Sequence, residues 1–485
     1  MAQDKRDALL AGWAAAEITP AIPCWMGGYG VRTGPATAVH DPLYAHALAL
    51  SAATTQARPL VLVICDLLDI HAFLLREVRM RAASTLPGVM LWVGATHTHS
   101  GPATSTTWLP EQARGELDAT IERVVTGVLH AAGEAIARLH PVYAAWASGE
   151  TSGIVTNRDH PGIGENTALD LLCFYNASDE DANNWTGPRH IRPDAIIGSF
   201  PCHPTVLSAE NYAISADLPG AFRRHLRALI GADTWIALAT GAAGDMSTRH
   251  TRRGQGMAEL ERLGALLAQQ AYQFVSNARP LVVGPPVVRQ TTIELALKDL
   301  PAPATLDAYE RTTQERMMAA RRAGDVAGAR TLETALQGIA ALRGMKSAQV
   351  SIERSAEVSV ARIGQLSLVA IPGELYNRLL QFPQNEVKRT DESASLLATS
   401  QQSAVYRTNP QRSSDFAQGM TLRRGARQAV LLCGYTNGYV GYLPTRDAYE
   451  EIDYEVLMSP FAPGAGEQVA QAVQRLLGAA GASHG

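Results

Sequence analysis

The sequence predicts an α/β protein on a mixed sheet, with a helical insertion around 306–342. Three observations predict it. Short apolar, β-rich runs alternate with amphipathic helical patterns. The loops that follow those runs are rich in Gly, Pro, His and Asp. One stretch drops the alternation and becomes rich in Ala, Arg, Glu and Met.

In chain order, Leu60 to Cys65 reads as a buried strand ending at Asp66, with a helix over about 70–83 behind it. Residues 89–93 form a second strand that runs into Gly94, Ala95 and a histidine motif. Leu117, Ile121, Val124, Val128 and Leu129 recur at helical spacing, so 116–139 is one long amphipathic helix. Strands follow at Ala195-Ile196-Ile197 and at 235–239. Leu260, Leu263, Leu267, Ala271 and Phe274 then mark another helix. The insertion at 306–342 reads as a charged hairpin of two helices with Gly324 at its middle. Strand character returns at 350–360, 366–371 and 429–433. Gly/Ser-rich linkers and internal repeats are absent, so one domain spanning 1–485 is expected.

Composition narrows the function classes. A chain of 485 residues, 46% hydrophobic and 18% charged, is ordinary for a globular enzyme. A net charge of -4 with scattered basic residues gives nucleic acid no electrostatic footprint. No run approaches the ~18 apolar residues of a membrane span, so stable membrane insertion is not expected. The N-terminal MAQDKRD lacks the apolar core of a secretory signal. The five cysteines are widely spaced and form no CxxC pair, which argues against a disulfide framework. A cytoplasmic address is expected, and a homo-oligomer remains open.

Five motifs sit just past strand ends, where open α/β sheets build their sites. The first is Thr96-His97-Thr98-His99-Ser100-Gly101-Pro102. In an extended segment successive rings alternate sides, so one histidine can bind a metal while the other faces substrate. Hydrogen-bonded structural histidines are the bland alternative. The second motif places His203 between Pro201 and Pro204, which restrict the backbone; the adjacent Cys202 reads as a small core residue. The third, Ile371-Pro372-Gly373-Glu374, offers a carboxylate that can complete a His/His/carboxylate set with a position left for water, or simply start a helix. The fourth, Thr240-Gly241-Ala242-Ala243-Gly244-Asp245-Met246-Ser247, brings backbone N–H groups close to a ligand. Its Ser247 can be nucleophile or oxyanion donor, yet a tight structural turn fits as well. The fifth, Gly434 to Tyr442, is a tyrosine cluster that packing alone would explain.

In this order the motifs resemble the neutral ceramidase family over nearly the whole chain. Ala16-Glu17-Ile18-Thr19-Pro20, Met26-Gly27-Gly28-Tyr29-Gly30 and Val39-His40-Asp41-Pro42 look like its N-terminal signature. Asn157-Arg158, Ser215-Ala216-Asp217 and Pro372-Gly373-Glu374 follow in family order. The resemblance implies a mixed-sheet zinc hydrolase domain, with Zn2+ held by His97, His203, Glu374 and Tyr442. It implies substrate contacts from His99, Arg158 and Tyr454, and an active-site serine at Ser247. Two features depart from the pattern: Thr248-Arg249 stands where Pro-Asn is usual, and the family's C-terminal immunoglobulin-like domain is expected to be absent.

The expected activity is therefore hydrolysis of a linear amide in an N-acyl compound through metal-activated water, with Ser247 assisting or attacking. The lack of a secretion signal favours a small soluble substrate over a membrane lipid. Ceramide itself, or an ester or lactone, would suit the same site. A catalytically silent binding protein on this scaffold is the alternative from another class.

Overall fold

Nine strands form the larger sheet of the computed structural model, which describes residues 9–53, 58–163, 165–177, 192–345, 352–380 and 429–479. From one edge the order is Trp235–Thr240, Ala195–Phe200, Ala168–Asn176, His140–Glu150, Leu9–Glu17, Tyr44–Ala52, Leu60–Cys65 and Met90–Ala95, with Arg279–Leu281 paired to His140–Glu150. The sheet is mixed. The central pairings are antiparallel, while the two edge pairings, Trp235–Thr240 with Ala195–Phe200 and Leu60–Cys65 with Met90–Ala95, are parallel. A second sheet holds Val287–Glu294, Ser355–Ile363, Leu366–Ala370 and Ala429–Cys433, the last two parallel.

The two sheets stack through a shared core in which Leu62, Trp92, Leu172 and Trp235 of the first meet Leu366, Leu368 and Leu431 of the second. Helices cover the outer faces. Ala72–Thr85 and Leu117–Ala137 seal one half of the large sheet, Asp217–Ile230 and Met257–Ser276 the other, and Ala465–Ala479 the small sheet. Strands buried on both faces run almost continuously apolar, which is why LVLVIC and AIIGSF show no polar alternation. The result is a helix–sheet–sheet–helix sandwich, within the expected α/β mixed-sheet class.

The 306–342 segment folds as two helices, Pro303–Arg322 and Val326–Met345, with Gly324 left-handed at φ 73 in the turn. All five cysteines are free and buried. Among the described residues no helix is long and apolar enough to cross a membrane. The N-terminal MAQDKRD lies outside the described residues.

Candidate metal centre

Five strands of the two sheets end at one place. The strands Met90–Ala95, Ala195–Phe200, Trp235–Thr240, Leu366–Ala370 and Ala429–Cys433 each release a loop there. Cross-loop hydrogen bonds lock the ends together: Thr240 Oγ1 donates to Thr96 O at 2.6 Å, Gly434 N to Thr240 O at 2.9 Å, and Ala95 N to Tyr435 O at 3.1 Å. Gly94 is needed here, because a Cβ would come within 2.3 Å of Thr436 Oγ1.

The expectation that the HxH rings point to opposite sides does not hold. Residues two apart in an extended chain share a face, and here His97 is in addition left-handed, with φ 65. The rings of His97 and His99 are 4.9 Å apart and their Nε2 atoms 3.4 Å apart. Gly28, itself at φ 97, makes room for the second ring; a Cβ there would lie 2.5 Å from its Cγ and Nδ1. His99 also packs against the Tyr29 ring at 4.8 Å.

His97, His99 and His203 offer ring nitrogens that all lie within 4.8 Å of one another. The outer nitrogens of two are tied down: His97 Nδ1 to Leu68 O at 2.7 Å and His203 Nδ1 to Ala243 O at 2.5 Å. Such bonds fix the tautomer and leave Nε2 as the bare donor, the arrangement that supports imidazole as a metal ligand. Glu374 enters between them, its Oε2 3.3 Å from His97 Nε2 and 2.8 Å from His203 Nε2. His203 Nε2 nonetheless has no hydrogen-bond partner. Donor atoms at ~2.0–2.2 Å from a tetrahedral ion stand about 3.3–3.5 Å apart. Three near-contacting donor atoms, one of them orphaned and all buried, therefore suit a metal ion.

Electrostatics reinforce the set. Burial opposes ionisation of Glu374, but His97 and His203 hold its carboxyl well below the usual range. Burial, followed by the neighbouring imidazoles, keeps His99 well below its ordinary pKa, so its ring is neutral.

Among the tyrosines, Tyr439 donates to Glu374 Oε1, and Tyr435 to Glu374 Oε2 at 3.4 Å. Tyr442 pairs in register with Glu374, stacks on His203 at 6.2 Å, and its hydroxyl receives Arg158 Nη2 at 3.2 Å.

The remaining expected residues lie around this cluster. Ser247 is 2% exposed and bridges His203 through the backbone, and its Oγ accepts from Arg249 N at 3.2 Å. Arg158 is buried, donates to Gly244 O at 2.6 Å, and forms an ion pair with Glu455. Tyr454 meets the Tyr442 ring edge-on at 5.9 Å. Its ring also touches Gly338 of the helical hairpin, where a Cβ would come within 3.1 Å. Asp245 anchors two segments, accepting from Asn157 Nδ2 and Asn377 N while its carbonyl accepts from Arg158 N. Burial pushes its pKa up to about 6.

Sequence reasoning did not single out Asp245, Glu455, Tyr435 or Tyr439 for these contacts. The position of Asp245 in a Gly-rich loop was a usable signal. Glu455 carried none, since an acid beside a tyrosine is ordinary in any sequence.

Imidazoles and a carboxylate converging at the strand ends of an α/β sandwich define the class of a protein with a candidate metal centre. Residues 9–249 match the family model described as "Neutral/alkaline non-lysosomal ceramidase, N-terminal", so this part of the chain is similar to that family. The neutral ceramidase of Mycobacterium tuberculosis is 25% identical over 484 residues, covering 92% of this chain and 73% of the relative. That of Pseudomonas aeruginosa is 26% identical over 299 residues, covering 56% and 43%. Two solved structures share the fold. "Ceramidase complexed with C2" has a TM-score of 0.64 at 19% identity, covering 96% of this chain and 74% of that one. The crystal structure of the Pseudomonas aeruginosa neutral ceramidase has a TM-score of 0.66 at 20% identity, covering 97% and 74%. The family match contains His97, His99, Arg158, His203 and Ser247, and ends before Glu374, Tyr442 and Tyr454.

Proposed function

We propose that this chain is a zinc-dependent hydrolase that cleaves the amide bond of a linear N-acyl compound. The observation that carries the reading is the convergence of His97 Nε2, His203 Nε2 and Glu374 Oε2, buried and with both imidazoles anchored from behind. Tyr442 is the fourth ligand in this reading, supported by its pairing beside Glu374 and its place against His203. Zinc bound there lowers the pKa of water to about 7 and polarises the scissile carbonyl.

The other side chains divide the remaining work. His99, neutral and with an unpartnered Nδ1, accepts a proton and passes it to the leaving amine. Arg158, held through Nη2, turns its remaining donors to negative charge developing on the carbonyl oxygen. Ser247 assists from its buried place beside His203 or attacks the carbonyl itself. Tyr454 shapes the wall that the helical hairpin backs, within a single catalytic domain.

The names of the relatives favour an N-acylsphingosine as the amide. Zinc content and amide turnover in wild type and His97→Ala test the reading. Loss of both in the variant is expected, and a fully active variant would sink the mechanism. Mass spectrometry of a stalled reaction distinguishes an acyl group on Ser247 from direct attack by water. Turnover of long-chain ceramide against acetylated amides fixes the acyl length.

A further inference from the structure

Residues 248–252 form a single turn directly after Ser247, closed by Arg252 N donating to Thr248 O at 2.9 Å. Its two outer arginines are each tied down by one prong. Arg249 Nη1 donates to Thr331 Oγ1 of the helical hairpin at 3.0 Å, and Arg252 Nη1 to Thr205 O, two residues past His203, at 2.7 Å. Among the described residues neither forms an ion pair, and the other nitrogens of both forks have no partner. Arg330, next to Thr331 on the hairpin, pairs with Glu333 at 2.8 Å on the surface.

These cations gather on the Tyr29 side of the centre, where the Tyr29 ring packs on His99 at 4.8 Å. The charges that reach the Tyr29 hydroxyl are those of Arg252, Arg32 and Arg330, against the single carboxylate of Asp217. Asp217 is itself occupied, accepting from the N–H groups of Val206, Leu207 and Leu218. Arg32 donates to Gly27 O and His99 O, and its buried Nε has no partner. Arg252 also feels the like charges of Arg249 and Arg330. Asp159 and Glu455 act on Arg249, but Glu455 is already paired with Arg158. Grouped guanidinium ions repel one another, and a buried donor without an acceptor is costly. Water would satisfy the free prongs and leave the repulsion in place. An anion does both.

We propose that Arg249, Arg252 and Arg330 bind a carboxylate on the amine half of the substrate, so that the preferred substrate is an N-acyl amino acid. The amine half is the one concerned because His99, which serves the leaving amine, packs on Tyr29 at the centre of these charges. A guanidinium fork accepts a planar carboxylate through two parallel N–H groups and has no such match for a hydroxyl. Hydrolysis of that amide consumes one water, breaks the C–N bond and releases a carboxylic acid and a free amino acid.

This inference rests on the amide-hydrolase reading, and the test keeps the two apart. N-lauroylglycine and N-lauroylethanolamine share an acyl chain and differ in charge. Calorimetric titration of the His97→Ala chain reads their binding without turnover. N-lauroylglycine is expected to bind at least about tenfold more tightly, the lower end for hydrogen bonds to charged groups. Arg252→Gln and Arg330→Gln should each narrow that preference, and added salt should shrink it. Equal binding of the two amides, or failure of both to bind, overturns the inference, as does a preference that survives in both folded variants. Should Arg252→Gln fail to fold, Arg330→Gln on the outer hairpin decides together with the salt series. Wild-type turnover then separates the readings. If N-lauroylglycine binds preferentially but neither amide is cleaved, the hydrolase reading fails and the anion site stands; cleavage of both amides with equal KM does the reverse.

Discussion

Two buried arginine–carboxylate pairs in this molecule differ in what they leave over. Arg223 grips Asp66 with both prongs, Nη1 to Oδ1 at 2.9 Å and Nη2 to Oδ2 at 2.6 Å, and Asp66 also accepts Tyr44 N at 3.0 Å. Neither residue has a fully buried side-chain polar atom without a partner. Arg158 instead loads Gly244 O, Tyr442 Oη and Glu455 onto a single nitrogen, while its own Nε and Glu455 Oε2 stay unpaired. The first pair ties helix Asp217–Ile230 to the end of strand Leu60–Cys65. The second lies against the candidate centre. A saturated buried pair is scaffold; an unsaturated one keeps capacity for something that binds.

The largest effect expected from breaking this comparison is at Asp66. Asp66→Asn leaves Arg223 charged and unpaired inside the protein, and removing one partner of a buried pair costs about 3–5 kcal/mol. Chemical denaturation should show that loss, whereas the activity of the molecules that remain folded should be close to wild type. Arg158→Lys is expected to invert the pattern. It keeps the charge but loses the planar fork, and losing one aimed donor costs about 100–1000-fold in kcat. The denaturation midpoint should move far less than in Asp66→Asn. Equal stability losses in the two variants would erase the distinction between the pairs.

Much of this was legible in the sequence, and the reason is local. Apolar runs such as LVLVIC and AVLLC can only be buried strands, so the sheet and the loops at its ends could be read directly. His97, His203 and Glu374 were legible because each follows such a run within a few residues. The orientation of His99 was not, because it depends on the left-handed backbone at His97 and on the missing Cβ of Gly28, about seventy positions away. The Arg158–Glu455 pair joins residues separated by nearly 300 positions, and the Tyr439 contact with Glu374 spans 65. Periodicity carries no information at that range.

The Asp66 pair can be sharpened further through its neighbour His46, which is 2% exposed and 3.8 Å from Asp66. Burial, aided by the charge of Arg223, lowers its pKa from 6.5 to about 4. Between those values the unfolded chain binds a proton that the folded chain refuses, so stability from this group is complete above pH 6.5 and is lost as pH falls toward 4. The total is roughly 3 kcal/mol. Urea midpoints measured from pH 7 to 4.5 should fall more steeply for wild type than for His46→Gln. Parallel curves would show that His46 titrates normally.

The smallest effect belongs to a pair that looks as good by distance. Arg138 Nη2 lies 2.7 Å from Glu134 Oε2, within a tenth of an ångström of the 2.6 Å contact in the Arg223–Asp66 pair. Its side chains, however, are 60% and 42% exposed. Water solvates both charges before and after folding, so little desolvation needs offsetting and little Coulomb energy is gained. An i,i+4 pair on a helix surface contributes about 0.3–0.5 kcal/mol, and less at high salt. Glu134→Ala should therefore shift the denaturation midpoint only slightly, and added salt should shrink even that shift. A loss approaching that of Asp66→Asn would mean that proximity, not burial and saturation, governs the value of these pairs. That outcome would also undercut the contrast between the Arg223 and Arg158 pairs, since both depend on what the surroundings do to a charge once water is gone.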